Sequence, residues 1–327
     1  MIYFVGTDEA GYGPNLGPLV VAASVWKITD SDLRPADLYA RLSRCLQATL
    51  PRPNRQPDSP PQPIVIADSK TLYHSGQGLQ HLERGVFSLF GNLAALPQTW
   101  RELFETLAAA SQRPADASPE YHDYHAPALT TTTPAQLAAA TQFLRQSLQE
   151  AGVELVRLEA ETLFPGRFNE LVTARGSKGA VLTETTLALV RRVTQGLAPG
   201  PVWIRCDKHG GRARYAPALQ DCFPEELVRV RDEGRQASRY EWGAGNQRVR
   251  IEFVAQGEGF MPTALASMLA KYLRERAMEA VNAFWSRQLP GLKPTAGYPV
   301  DARRFWSETA TLRQQLGIPD HILWRQQ

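Results

Sequence analysis

Ile2-Tyr3-Phe4-Val5-Gly6-Thr7-Asp8-Glu9-Ala10-Gly11-Tyr12-Gly13-Pro14-Asn15-Leu16-Gly17-Pro18 runs an apolar strand straight into two acids and a cage of glycines and prolines. Asp and Glu are poor strand formers, so carboxylates placed here point to chemistry. Adjacent strand residues face opposite sides, and only a strand end or bend lets Asp8 and Glu9 reach one site. Gly6, Gly11 and Gly13 supply that freedom and let a backbone approach a ligand closely. The competing reading is an acidic turn after a first strand.

Working outward, Leu19 to Trp26 is a continuous apolar run that pairs with the first strand as a hairpin. An amphipathic helix is expected over Asp37 to Leu50, then an exposed proline-rich excursion over Pro51 to Pro63. Ile64 to Ala67 returns to strand and ends at Asp68-Ser69-Lys70. Helical patterns at Leu79–Leu96, Trp100–Ser111 and Ala135–Gly152 flank a loop with Pro114, Pro119, Pro127 and Thr130 to Thr133, which reads as an inserted helical lobe. The division expected is 1–74 with 166–327 as one catalytic domain and 75–165 as the insertion. Tyr121-His122-Asp123-Tyr124-His125 inside that loop reads as solvated rather than as a metal site.

Further on, Asn169-Glu170-Leu171 leads to an amphipathic helix carrying Leu182, Leu189, Val190 and Val193. Val202 to Cys206 is a strand that delivers Asp207 ahead of His209-Gly210-Gly211, repeating the layout of the opening motif. A Cys206–His209 thiol pair is disfavoured, because an Asp207 aimed at the site leaves Cys206 in the core. His209 over the site, moving protons, is the hypothesis kept. Glu225 to Gln256 reads as a long hairpin turning at Gly243-Ala244-Gly245-Asn246, with Arg229, Arg231, Arg235, Arg239, Arg248 and Arg250 on one face. Two readings of that face stand: a phosphate-binding stripe, or a solvated surface paired with Asp232, Glu233 and Glu252. A buried helix follows from Pro262 to about Arg287.

The stretch Asp8 to Pro18 resembles, without a gap, the D-E-A-G-R-G-P-x-x-G-P signature of ribonuclease HII, the type 2 ribonuclease H family. Tyr12 departs from it, standing where the family has a basic residue. Asp68-Ser69-Lys70 matches the family's D-S-K, Asn169-Glu170-Leu171 its N-x-L, and Ala266-Ser267-Met268-Leu269-Ala270-Lys271 its A-S-I-x-A-K helix. Gly297-Tyr298-Pro299 matches its G-Y-x-T, although Thr295 replaces the usual histidine. The resemblance implies a ribonuclease H-like α/β fold, a mixed sheet flanked by helices. It implies Asp8, Glu9 and Asp207 as metal ligands, with Glu258 the fourth after a one-residue shift and Glu275 as fallback. It assigns substrate contacts to Gly11, Tyr12, Gly13, Ser69, Lys70, Ser267, Lys271 and Tyr298.

An all-carboxylate set suits two Mg²⁺ or Mn²⁺ ions rather than Zn²⁺, because hard cations offset the repulsion among packed acids. The reaction implied is hydrolysis of the RNA strand of an RNA–DNA hybrid, or of ribonucleotides embedded in duplex DNA. The alternatives are a nuclease of the same fold with altered specificity and a non-catalytic nucleic-acid-binding descendant. The chain has 327 residues and a net charge of +3, compatible with a polyanion partner without demanding one. Three cysteines with no C-x-x-C pair, no signal-like start and no apolar run of membrane-spanning length lead to the expectation of an unprocessed cytoplasmic protein without a membrane partner.

Overall fold

The computed structural model describes residues 1–30, 33–34, 37–50, 63–73, 78–255 and 257–326, the side chain of Glu258 excepted. Strand β1 (Ile2–Ala10) pairs antiparallel with β2 (Leu19–Ile28), as the two apolar runs require. The expected helix over 37–50 is cut to α1 (Leu38–Arg41), which has no side-chain cap. The chain then turns into β3 (Leu46–Gln47), which pairs with β4 (Ile64–Val65) in a small separate sheet. Most of the proline-rich excursion, residues 51–62, lies outside the described residues. Asp68 caps the short helix α2 (Ser69–Leu72) by accepting from the Lys70 N–H at 3.0 Å.

The middle of the chain supplies α3 (Gln80–Phe90), α4 (Trp100–Leu107), α5 (Pro114–Ala117), α6 (Pro119–His122) and α7 (Pro134–Ala151). Thr133 and Gln136 form a reciprocal capping box at the start of α7. The segment that follows corrects the expectation of a helical region over 75–165, because β5 (Val153–Leu163) is a long strand paired antiparallel with β2. Val153 and Leu155 alternate with Glu154, and Leu158 and Ala160 alternate with Arg157, Glu159 and Glu161, two short runs of strand period offset by a bulge between Leu155 and Arg157. Nor do these helices carry a core of their own. Leu82, Phe87, Trp100, Leu103, Leu137 and Leu144 belong to one apolar cluster with Phe4, Val20, Leu269 and Leu273.

Buried polar groups tie this region down. Glu83, wholly buried, accepts from the N–H groups of Thr130, Thr131 and Thr132 at 2.9, 2.9 and 2.7 Å, from the Thr130 hydroxyl, and from the Tyr272 hydroxyl. The threonine loop, read as low-complexity, is therefore ordered around one carboxylate. Arg276, also buried, donates to the Pro127 carbonyl at 2.6 Å, and the Trp100 indole donates to the Arg276 carbonyl at 2.8 Å. Tyr121 lies in the core stacked on Trp100, while the exposed His122 pairs with Asp123 at 2.7 Å.

Helices α8 (Pro165–Arg175) and α9 (Lys178–Thr194) precede β6 (Val202–Asp207) and α10 (Ala216–Cys222). Three strands then replace the expected single hairpin: β7 (Arg229–Glu233), β8 (Ala237–Trp242) and β9 (Val249–Val254). The chain already reverses at Gly234, whose N–H donates to the Ala237 carbonyl at 2.9 Å. The long buried helix α11 (Met261–Gln288) is followed by α12 (Pro299–Glu308) and α13 (Ala310–Gln315). The main sheet has seven strands in the order β5-β2-β1-β6-β9-β8-β7, with parallel β1–β6 and β6–β9 pairs and antiparallel pairs elsewhere. It is an α/β fold with a mixed sheet flanked by helices. One apolar cluster joins the sheet to α11, α3, α4 and α7, and the other joins it to α8, α9 and α10.

Gly6 sets the distance between α11 and the sheet. A Cβ there would fall 2.1 Å from the Thr263 nitrogen, so only glycine lets the helix start lie directly on β1. Ser24 donates to the Pro262 carbonyl at 2.7 Å and Thr263 to the Arg205 carbonyl at 3.2 Å, fixing that start beside β6. Among the described residues no helix is long and apolar enough to cross a membrane.

Candidate metal centre

Strands β1 and β6 run parallel in register as far as Thr7 opposite Cys206, and the next residues are Asp8 and Asp207. The carboxyl ends of neighbouring parallel strands open a crevice, and both aspartates stand at its mouth. Asp8 and Asp207 fall on the sheet face that α11 covers, following Phe4 on one strand and Trp203 and Arg205 on the other. Glu9, next on β1, reaches the same place because the β1–β6 pairing has ended. Carboxylate oxygens of Asp8, Glu9 and Asp207 lie within 4.8 Å of one another, the one such group of possible metal ligands among the described residues. Asp8 is 7% exposed and accepts from the Glu9 N–H at 2.8 Å.

Three carboxylates and no thiolate or imidazole form a hard-oxygen donor set, which fits Mg²⁺ or Mn²⁺. Clustered acids in a half-buried crevice repel one another, and a divalent cation reverses that cost. Residues 257–259 form a one-turn helix next to Asp207, and the Gly257 N–H approaches Asp207 Oδ1 at 3.4 Å. The backbone of Glu258 is thus carried to the crevice, while its side chain and Gln256 lie outside the described residues. Glu275 is not in the cluster. It accepts from Lys271 at 2.7 Å, Arg274 at 3.0 Å and Tyr73 at 2.9 Å. Burial raises the Glu275 carboxyl, but Lys271 and Arg274 outweigh it and hold the group below its ordinary value.

Around the crevice, Gly11 turns at φ +89°, and a Cβ there would meet the Pro18 carbonyl at 2.4 Å. Arg325, from the far end of the chain and 1% exposed, donates to the Gly11 carbonyl and approaches the Tyr12 carbonyl at 3.4 Å. Burial, aided by the nearby Arg274, pushes its guanidinium down to about 9. Tyr12 is partly buried. Its phenol is raised first by burial and then by the charge of Glu9, with Arg212 and Arg325 opposing. Lys178 Nζ lies 5.0 Å from the centre of the Tyr12 ring. Lys178 was not among the expected site residues; a contact between the first loop and the start of α9 leaves no mark in local sequence.

Gly13 is exposed. The Ser267 hydroxyl donates to Ser69 Oγ at 3.0 Å, both buried, which joins the Asp68-Ser69-Lys70 segment to α11. Lys70 is exposed beside it, and Lys271 lies 4.4 Å from the centre of the Tyr73 ring. Asn15 and Leu16 both donate to the Gly297 carbonyl, at 2.8 and 3.3 Å, so the loop carrying the exposed Tyr298 is docked on the opening motif. Thr295 donates to Asp301 at 2.6 Å and braces that loop.

Of two chemical side readings, the one on Cys206 holds and the one on His209 changes. Cys206 points to the opposite face, fully buried, and burial pushes its thiol up to about 12. His209 does not stand over the crevice. It is 4% exposed, packs edge-on against Tyr215 and Phe253, and meets the Thr183 hydroxyl at 3.0 Å. Burial, followed by the charge of Arg212, lowers its imidazole to about 3, so it stays neutral near pH 7. Arg231, Arg239 and Arg250 of the hairpin face are engaged with Glu241, Asp232 and Glu252.

No family model and no curated protein matches this sequence. Among solved structures, the chain is similar to RNase HII of Archaeoglobus fulgidus from its complex with PCNA, at 16% identity and a TM-score of 0.42, over 99% of this chain and 94% of that one. It is also similar to ribonuclease H2 of Pyrococcus horikoshii, at 14% identity and a TM-score of 0.43, over 98% and 92% of the two chains. RNase H3 of Aquifex aeolicus gives 12% identity and a TM-score of 0.37, over 98% and 70%.

Proposed function

We propose that this chain is a divalent-metal-dependent endonuclease of the type 2 ribonuclease H kind, cutting the RNA strand of RNA–DNA hybrids or ribonucleotides embedded in duplex DNA. The observation that carries this reading is the meeting of Asp8, Glu9 and Asp207 within 4.8 Å at the end of the motif that resembles that family. Asp8, Glu9 and Asp207 would hold Mg²⁺ or Mn²⁺, joined by Glu258 as the remaining acid. The bound ions would supply Lewis acidity and charge neutralisation for in-line displacement at phosphorus. Water adds to the phosphorus and the P–O3′ bond breaks, leaving a 3′-hydroxyl and a 5′-phosphate.

The Gly11-Tyr12-Gly13 backbone is suited to meet a 2′-hydroxyl, which is what distinguishes RNA from DNA. The exposed ring of Tyr298 offers a surface for the adjoining sugar. On the α11 side, Lys70 and Lys271 would meet phosphates, with Ser69 and Ser267 contributing beside them. The cytoplasm is the natural setting for three free cysteines.

The test is incubation with Mg²⁺ or Mn²⁺ and four end-labelled duplexes: DNA, DNA with one ribonucleotide, RNA–DNA hybrid and double-stranded RNA, beside Asp207→Asn. Metal-dependent cuts confined to the second and third, and lost in the variant, support the reading. Cuts in all-DNA duplex, or none anywhere, overturn it. A nuclease with altered specificity is the second reading, favoured by Tyr12, an uncharged side chain where the signature has a cation. Calorimetric metal titration separates both from a non-catalytic binding protein.

A further inference from the structure

The same sheet face that carries Asp207 continues away from the metal centre into an open groove of about 450 Å³ over β6, β9 and β8, closed at one side by Phe260. Its floor is laid out in rows by the strand register. Trp203 stands beside Arg250, which stands beside Glu241; Arg205 stands beside Glu252, which stands beside Arg239. Arg231 reaches in from the edge strand to Glu241. Each glutamate is shared by two arginines: Glu241 by Arg231 and Arg250, Glu252 by Arg205 and Arg239. Four guanidiniums therefore face two groove carboxylates, with Asp232 at the rim beside Arg239.

Two aromatic rings complete the surface. Arg250 lies 5.2 Å from the centre of the Trp203 ring and Arg205 lies 5.0 Å from that of Phe260. Side-chain exposures of 45% for Arg250, 52% for Arg239 and 57% for Arg231 leave these guanidiniums open to a ligand. A ring flanked by surplus guanidiniums on a concave face is complementary to an aromatic base joined to phosphates.

We propose that this groove binds single-stranded nucleic acid, an unpaired base stacking against Trp203 while the flanking phosphates meet Arg239 and Arg250. Three features favour a strand over a free nucleotide. The four guanidiniums are spread across four strands of the sheet instead of converging on one point. The groove is open along the sheet. It also shares β6 with Asp207, two residues beyond Arg205, or roughly 7 Å along the strand. A duplex would hide its bases from the ring. The binding requires no hydrolysis and no metal, so it stands or falls separately from the activity proposed above.

The experiment is fluorescence anisotropy of labelled (dT)12 with the full chain in EDTA, repeated across a salt series. Arg239→Gln/Arg250→Gln is expected to weaken binding by about tenfold and to reduce the salt slope by roughly 1.4, the share of two phosphate contacts on a single strand. Trp203→Leu is expected to weaken it several-fold and Trp203→Phe to restore most of it, which a merely structural role for Trp203 does not predict. Thermal melting checks that each variant folds. Arg145→Gln, on α7 at the far edge of the sheet, should bind like the parent. Unchanged binding by the groove variants overturns the proposal. Displacement of (dT)12 by dTMP or by a 12-base-pair duplex at equal nucleotide concentration also overturns it, in favour of a mononucleotide or a duplex site.

Discussion

Two sets of inward-facing carboxylates divide this molecule by purpose. Glu83, under the threonine loop, receives five donors from three backbone N–H groups and two hydroxyls. Asp8, Glu9 and Asp207, at the strand ends, are gathered within 4.8 Å of one another. A buried acid surrounded by donors organises the chain; acids brought against each other call for a cation from outside. Burial alone does not separate the two, since Asp8 and Glu83 are both buried.

The comparison breaks most decisively at the strand ends. Asp8→Asn and Asp207→Asn should each lower cleavage by on the order of 10²–10³ or more while leaving the melting temperature unchanged or raised, because a repelling charge is removed. Single-turnover assays with a ribonucleotide-containing duplex, beside thermal melts, check both halves. Glu83→Ala should show the reverse: about 3 kcal/mol lost in urea unfolding, from orphaned N–H groups, with cleavage per folded molecule retained.

Glu120 sharpens the structural side. It is buried beneath the Trp285 indole and the Ser118 hydroxyl, and burial raises its carboxyl to about 7 although both donors lower it. A folded-state value above the unfolded one favours the protonated form. The stabilisation is complete below about pH 4.5 and drains away as the pH rises towards 7. Glu120→Gln should abolish that slope and make the protein about 3 kcal/mol more stable than the parent at pH 8, measured by denaturant unfolding at both ends of the range. The smallest effect is expected from Lys178→Ala, a few-fold rise in KM for a ribonucleotide-containing duplex with kcat nearly unchanged, since one ammonium near a phosphate contributes uniform binding.

What sequence reveals here follows the range of the interactions. The acids announced themselves because a strand ending in Asp8-Glu9 has no folding reason to exist, and Asp207 repeated that layout. Strand β5 was obscured by the helical segments before it and by the bulge after Leu155, which shifts the phase of its two-residue alternation. The hairpin face resolved into three strands because Gly234 turns the chain well before Gly243. His209 sits in an aromatic cage built from residues spread between 183 and 253, and Lys178 meets Tyr12 from another element. Such contacts are made by topology, and no local pattern encodes them.

Arg325 carries one more consequence. Its guanidinium holds the Gly11 carbonyl across a separation of 314 residues. Closing so long a loop costs configurational entropy that shorter contacts must first offset, so this clasp belongs among the last events of folding. During vectorial synthesis the acidic turn is made 314 residues before the arginine that clasps it. A nascent chain thus carries its clustered acids without the finished turn beside them.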